Sequence, residues 1–198
     1  YLIDSDNVFI ESRNKPLCNV PYFCAGNRPA DGGFLLIEGY DYDNFIKEEP
    51  KAKMYIKRYM MGEEFLYNKP RYCLWLVNAN PADLRKMPKV MERISLCQKS
   101  RLSSSDSGRR ELAETPHLFR ETDVPEQYLA LRFVSSEKRK YIPMDFYTNE
   151  VIPGDGGLNL IGNASLYHFG ILTSTVHMSW MRAVCGRLEI RYRYSAKV

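Results

Sequence analysis

The chain has 198 residues, of which 44% are apolar and 26% charged, and its formal net charge is +4. These values are ordinary for a globular domain, so they exclude a disordered chain, a collagen-like chain and a coiled coil. No stretch approaches the roughly 20 apolar residues that a membrane helix needs, and no signal peptide is visible. We expect residues 1–198 to form one domain, excised from a longer protein, because the sequence opens without Met and closes inside a strand-like run.

The first half of the chain predicts short strands and helices in irregular order. Residues 1–12 alternate loosely and predict one or two strands, and the segment from 15 to 33, rich in Pro, Gly and Asn, predicts a long ordered loop. The elements expected next, in chain order, are a buried strand over 34–37, helices over 41–49 and 50–61, and a central strand over 71–77.

A longer helix follows, beginning at Pro81 after the capping residue Asn80 and restarting at Pro88. Apolar residues recur in it at spacings of three and four, which predicts a core-facing stripe. The stripe consists of Leu84, Met87, Met91 and Ile94.

The second half predicts more strands and one further helix. The strands are expected over 129–134, 140–146, 151–152, 158–161 and from 188 onward. The helix over 175–185 is capped by Ser174 and closed by Gly186. Because strands and helices do not alternate regularly, the fold class predicted is α+β, a single domain of mixed, mostly antiparallel strands with several packed helices.

The cysteines favour a reduced, cytoplasmic setting. Five occur, and no two form a C-x-x-C pair. Cys18 and Cys24 could bind metal, but no Cys or His partner follows at ligand spacing, so we predict no metal site.

The charge is concentrated in two segments. Residues 81–110 carry eight basic and three acidic side chains, and residues 182–198 carry five and one. Clustered Lys and Arg are typical of proteins that bind a polyanion, although a solvated helix face and a basic edge strand would give the same pattern.

Catalytic motifs are missing from the sequence. The three histidines make neither an H-E-x-x-H motif nor a triad with a flanked nucleophile, and no glycine-rich loop opens a phosphate-binding motif. Asn78-Ala79-Asn80-Pro81 lacks the aromatic residue of the Asn-Pro-Pro-aromatic motif of amino-methyltransferases. We therefore predict no catalytic residue and no enzyme activity in this chain.

The predicted last strand has the chemistry to read base pairs. Since side chains on a strand alternate between faces, Glu189, Arg191 and Arg193 would lie on one face and Leu188, Ile190, Tyr192 and Tyr194 on the other. Arg donates two hydrogen bonds to guanine, and Glu accepts one from cytosine N4. The alternative is a surface strand whose Glu–Arg pair contributes under about 1 kcal/mol.

A second candidate follows the strand predicted at 129–134. Hydroxyl and cationic side chains at this place could hold DNA phosphates, which positions a protein without specifying sequence. The candidates are Ser135, Ser136, Lys138 and Arg139. A solvated turn is the alternative.

Several runs of sequence share the pattern of one protein family. The longest lies at the C-terminal end, and shorter ones are spread over nearly the whole chain. They are 168–174, 177–188, 192–195, 31–33, 71–76, 113–119 and 135–143. Together these runs resemble the target recognition domain of MmeI-like (type IIL) enzymes, which are bacterial fused restriction–modification proteins.

The resemblance implies a parent protein with a nuclease region and an N6-adenine methyltransferase, using S-adenosylmethionine and Mg²⁺ outside this chain. This chain would read the parent's asymmetric DNA site and contact the methyltransferase domain. In the family, two base-reading positions follow the Gly-Arg-Leu run, and the resemblance implies that they correspond to Glu189 and Arg191. It also implies that Arg193 and Gly157 lie at a neighbouring base pair. The alternative is a protein-interaction or structural domain with an incidental basic strand.

Overall fold

The structure, a computed structural model, describes residue 11 and residues 16–194. Apart from Glu11, the strands predicted over residues 1–12 lie outside the described residues. The described strands are β1 (Phe23–Ala25), β2 (Leu36–Glu38), β3 (Ile56–Met60), β4 (Arg71–Leu74), β5 (Gln127–Arg132), β6 (Val134–Ser135), β7 (Met144–Thr148), β8 (Val151–Pro153), β9 (Leu158–Gly162), β10 (Gly186–Leu188) and β11 (Arg191–Arg193). The helices are α1 (Tyr42–Glu48), α2 (Gly62–Tyr67), α3 (Pro81–Leu84), α4 (Pro88–Leu102), α5 (Ser107–Glu111), α6 (Leu166–Leu172) and α7 (Thr175–Val184), and 3-10 segments lie at Pro50–Tyr55 and Leu112–Glu114.

Three sheets organise these strands, in the orders β1-β9-β5-β7, β10-β11-β6 and β2-β4-β3-β8. The strands pair antiparallel except β3 and β8, which run parallel. Mostly antiparallel sheets with packed helices confirm the predicted α+β class. β4 lies inside its sheet, as expected of the strand predicted over 71–77, although it ends at Leu74.

Two of the apolar clusters show how helices pack against the sheets. One joins α1, α3 and α4 to β2 and β4, and its fully buried members include Ile37, Leu74 and Val90. The other packs α7 against β5, β9 and β11. The second cluster contains Leu129, Leu131, Met178, Met181, Tyr192 and Tyr194. The last strand of the chain is thereby fixed to a helix on its inner side.

Two prolines, Pro81 and Pro88, each begin a helix, as predicted. The Asn80 side chain accepts a hydrogen bond from the amide of Ala82 at 2.8 Å, and α4 begins at Pro88. The predicted stripe needs one correction. Met91 is 38% exposed, and Val90 is fully buried instead, because α4 restarts at Pro88 and its rotation differs from that of one continuous helix.

Two arginines of the basic segment 81–110 have structural roles. Arg101 is fully buried and donates five hydrogen bonds to the backbone carbonyls of Pro29, Ala30, Leu112, Thr115 and Leu118. Arg93 donates to the carbonyls of Phe34 and Leu36. These guanidinium groups tie loops to α4 and are not free to bind an anion.

The helix predicted over 50–61 is wrong. Only its first half is helical, as the 3-10 segment, and Ile56–Met60 forms β3 between β4 and β8. Ile56 pairs with Leu74, and Tyr59 is buried. Pairing with two strands overrides a helix start at Pro50, since branched and aromatic side chains fit a half-buried sheet.

Candidate nucleic-acid interface

The predicted last strand is a hairpin rather than one strand. Leu188 lies opposite Arg191, so Glu189 and Ile190 form a two-residue turn between β10 and β11. Glu189 has a φ of 57°, in the left-handed region that L side chains rarely adopt. Gly186 begins β10 and does not cap α7, which corrects a second prediction at this point.

The turn changes which side chains share a face. Residues directly opposite each other in an antiparallel pair project from the same face. Leu188 therefore lies beside Arg191, and Gly186 beside Arg193, on the face away from buried Tyr192. The prediction that Leu188 and Arg191 lie on opposite faces of one strand is wrong, because the chain reverses direction between them.

The two residues predicted to read one base pair contact each other. Arg191 Nη2 donates to Glu189 Oε2 at 2.9 Å, and the two side chains are 44% and 74% exposed. The outer face of the hairpin thus offers an acceptor and a set of donors side by side. That combination matches the cytosine amino group and the guanine acceptors of one base pair.

Aromatic rings support two neighbouring arginines. The Arg193 guanidinium lies 5.0 Å from the centre of the Phe133 ring, on the face that also carries Arg191. The Arg187 guanidinium lies 4.5 Å from the Tyr192 ring, and because Arg187 pairs with Tyr192 it belongs to the opposite face of the hairpin. Contact with a ring restricts the position of the Arg193 guanidinium and leaves its N–H groups able to donate.

The hairpin shares its sheet with the predicted phosphate-binding turn. Ser135 in β6 pairs with Tyr192 in β11, and the chain then turns, with the Arg139 amide donating to the Ser136 carbonyl at 3.1 Å. Lys138 is exposed and Arg139 half-buried. Residues 134–140 and 186–193 together carry six basic and two acidic side chains. The tertiary structure thus brings the two predicted groups together.

Two of the predicted site residues are buried. Ser135 is 3% exposed and lies beneath the sheet, on the same side as Tyr192, so its hydroxyl faces away from solvent. Gly157 is also buried, and a Cβ there would lie 2.7 Å from the amide nitrogen of Gly62. This contact explains the glycine by close packing, and Gly186 rather than Gly157 lies opposite Arg193.

Two guanidinium groups, those of Arg132 and Arg139, lie near each other at the turn. Burial lowers the pKa of the Arg132 guanidinium, and the neighbouring positive charge of Arg139 lowers it further. Arg132 Nη1 donates to the Gly157 carbonyl at 2.8 Å. Two neighbouring guanidinium groups repel each other, and a phosphate at Arg139 would reduce that repulsion.

A hydrogen-bond network anchors the end of the hairpin. The Tyr194 hydroxyl lies 2.8 Å from His177 Nε2 in α7, the Tyr194 carbonyl accepts from Asn159 Nδ2 at 3.2 Å, and the Tyr194 amide donates to the Phe133 carbonyl at 2.9 Å. Burial lowers the pKa of His177 and raises that of Tyr194, which keeps both groups uncharged near neutral pH. The end of the hairpin is therefore fixed to α7, to β9 and to the residue that links β5 to β6.

Sequence reasoning missed Phe133, Leu188 and Gly186 as parts of this surface. Phe133 links β5 to β6 and supports Arg193. An Asn-Gly or Asp-Gly pair would have predicted a hairpin, but the turn here is Glu189-Ile190, and Ile is a strand-forming residue.

Within residues 16–194 and residue 11, no three His, Cys, Asp or Glu side chains are grouped so that they could hold a metal ion. Among the helices described, none is long and apolar enough to cross a membrane.

An exposed hairpin that carries Arg191 and Arg193, next to the cationic turn at residues 136–140, has the features of a nucleic-acid-binding domain. Comparison with known proteins specifies the family. The sequence model described as "MmeI, target recognition domain" matches residues 4–198, so the chain belongs to the family of MmeI target recognition domains.

Two relatives agree with this assignment. The chain is 40% identical over 197 residues to DNA methyltransferase A of Bacillus subtilis (strain 168), a match that covers 99% of this chain and 22% of that protein. A solved structure of the type IIL restriction-modification enzyme MmeI in complex with DNA superposes with a TM-score of 0.91 at 39% identity, covering 100% of this chain and 26% of that one. The chain thus spans about a quarter of the length of each relative.

Proposed function

We propose that this domain reads an asymmetric DNA site for a longer bacterial restriction–modification protein. That protein would methylate adenine at N6 and carry a fused endonuclease, with S-adenosylmethionine and Mg²⁺ bound outside this chain and the methyltransferase domain in contact with it. Its setting would be the bacterial cytoplasm. The observation that carries the proposal is the shared sheet, in which the Glu189–Arg191 hairpin and the cationic turn lie on neighbouring strands.

The proposed division of labour follows from the chemistry of each part. Lys138, Arg139 and the Ser136 hydroxyl would hold phosphates and set the register of the domain on the duplex. Arg191 would donate to guanine, and Glu189 would accept from the amino group of the paired cytosine. Arg193, held over Phe133, would contact the next base pair. Ser135 and Gly157 are buried, so we leave them out of direct DNA contact.

The test is methylome sequencing of cells that express the full-length parent. A single methylated asymmetric adenine motif is expected, and a variant with Glu189 and Arg191 both changed to Ala should lose discrimination at one position of it. A parent that methylates nothing, or whose motif survives that double change at full activity, would contradict the proposal.

A salt series separates the proposal from a protein-interaction role. A protein that neutralises Z phosphates loses affinity with a slope of about −0.9Z on a log–log plot. A shallow slope for duplex DNA would favour the protein-interaction alternative.

A further inference from the structure

Helices α6 and α7 leave large apolar side chains uncovered. Leu166, Tyr167 and Val176 are 77%, 73% and 79% exposed, and Trp180 is 48% exposed. On α7, Val176 and Trp180 are four residues apart and share the side opposite buried Met178 and Met181. We call the exposed faces of α6 and α7 the helical face.

The helical face carries almost no charge. From Asn163 to Val184, Arg182 is the single Lys, Arg, Asp or Glu. Phosphate contacts need cations, which the neighbouring hairpin and turn provide and this face lacks. The helical face therefore fits an apolar protein surface better than DNA.

The exposed apolar residues of α6 and α7 are not explained by the stability of the helices themselves. Leu166 is the first residue of α6 and Val176 the second of α7, and neither helix has an acidic residue in its first turn. Carboxylates are favoured at such positions by the helix dipole. Gly170 lies inside α6, and a Cβ there would meet no atom within 4 Å apart from its chain neighbours and the backbone of its own helix, although Ala would stabilise the helix there.

A groove extends the helical face toward β7. Its volume is about 560 Å³, and Phe146, Tyr147, Ala164 and Leu166 are among its lining residues. The Phe146 and Phe169 rings lie 5.8 Å apart and connect the groove to α6. β7 is an edge strand, so its outer backbone groups face this side without a neighbouring strand among the described residues.

We infer that the helical face and groove form the docking surface for another domain of the same longer polypeptide, the one that carries the methyltransferase. This inference rests on the proposed function. The relatives are about four times as long as this chain, which leaves ample polypeptide to cover the surface. A covalently linked domain is present at high effective concentration, so a modest apolar surface suffices to hold it.

Helix α7 separates the docking surface from the sheet β10-β11-β6, which carries the residues proposed to read bases. The inner side of α7 packs Met178 and Met181 in the same cluster as Tyr192 and Tyr194 of the hairpin end. A domain seated on the outer side of α7 is thereby held in a fixed position relative to the base-reading side chains. That geometry would place the methylated adenine at a set distance from the base pairs that are read.

Hydroxyl-radical footprinting of the full-length parent tests the inference, with and without duplex DNA. Tyr167 and Trp180 should be oxidised several-fold more slowly than their exposure in this domain predicts, and equally so in both conditions. Tyr40 and Tyr67, which are 81% and 67% exposed, provide the comparison. Full reactivity of Tyr167 and Trp180 would overturn the inference. Protection only with DNA would assign the face to DNA, and protection that depends on protein concentration would assign it to a second copy; either result overturns it.

A charge placed in the interface gives an independent test. Val176→Glu adds a carboxylate where α7 itself favours one, so the fold of this domain should be retained. In the full-length parent it should raise the oxidation of Tyr167 and Trp180 several-fold and lower the methylation rate, while the methylated motif stays the same. Ser107→Glu, at the exposed first residue of α5, is the matched control and should change neither.

The two proposals fail in different ways. If the helical face is free, footprinting shows it while the parent still methylates its motif. If the parent reads no DNA sequence, the methylome shows it while Tyr167 and Trp180 can still be protected. A Val176→Glu parent with unchanged oxidation and methylation would overturn the docking surface alone.

Discussion

The Glu189 carboxylate accepts a hydrogen bond from the Arg191 guanidinium at 2.9 Å across the tip of a hairpin whose turn holds Glu189 at a φ of 57°. An exposed ion pair of this kind contributes only about 0–1 kcal/mol to stability. The pair therefore adds little to the stability of the fold, and it holds a donor and an acceptor side by side in an exposed position.

Exchanging the two charges should change one base of the recognised site. The double variant Glu189→Lys with Arg191→Asp puts the guanine donor, now Lys, at position 189. It puts the cytosine acceptor, now Asp, at position 191. The methylated motif of the parent should then have G in place of C at one position, and each single change should be worse than the pair by about 1–3 kcal/mol per mispaired contact. An unchanged motif at full activity would show that these residues do not read the base.

Glu189→Gly separates a reading role from a structural one. Glycine adopts the left-handed conformation freely, whereas other L residues pay roughly 1–2 kcal/mol for it. Denaturant unfolding of the domain should show unchanged or slightly higher stability, while the parent loses discrimination at one base pair. A variant that keeps its discrimination would assign Glu189 to the turn alone.

Lys138→Ala and Arg139→Ala should each weaken binding to all DNA sequences alike. The salt slope of the parent should fall by about one for each change, because one phosphate contact is lost. Lys86→Ala, which removes a lysine paired with Asp83 on another part of the surface, is the control and should leave the slope unchanged. A change in the preferred base would show that Lys138 or Arg139 has been assigned the wrong role.

Acid should loosen the anchor of the hairpin through His177. Burial lowers the pKa of His177, so the folded state binds fewer protons than the unfolded state. This stabilisation is complete above the unfolded pKa of about 6.5 and is lost as the pH falls below it. When the pH is lowered from about 7.5 to about 5.5, the free energy of unfolding should therefore fall less for His177→Gln than for the unchanged chain.

His117 contributes in the same direction, because burial lowers its pKa and the charge of Arg101 lowers it further. The double variant His117→Gln with His177→Gln should thus show the flattest pH dependence in denaturant titrations. Equal pH dependence of the unchanged chain and the double variant would contradict the assignment.

Much of the fold could be predicted from local signals. Asn80 and Ser174 cap helices because a short polar side chain satisfies a free amide, and Pro88 starts α4 because its ring suits the first turn. The motif runs predicted the family. The function of Arg101 could not be predicted, since its five carbonyl partners come from segments far apart in the chain.

The sequence by itself determined the fold class, the family and the residues with base-reading chemistry, because residue type and short-range spacing carry that information. Only the tertiary structure decided where those residues lie. In the structure, Arg93 and Arg101 of α4 donate to backbone carbonyls of other segments, whereas Lys138 is exposed in a turn. Residues 186–193 form a hairpin, and Ser135 pairs with Tyr192. The pairing of β6 with β11 joins segments more than 50 residues apart through backbone hydrogen bonds, and those bonds have no signature in local sequence. The hairpin is local, but its Glu189-Ile190 turn lacks the Gly, Asn or Asp residues that mark such turns in a sequence.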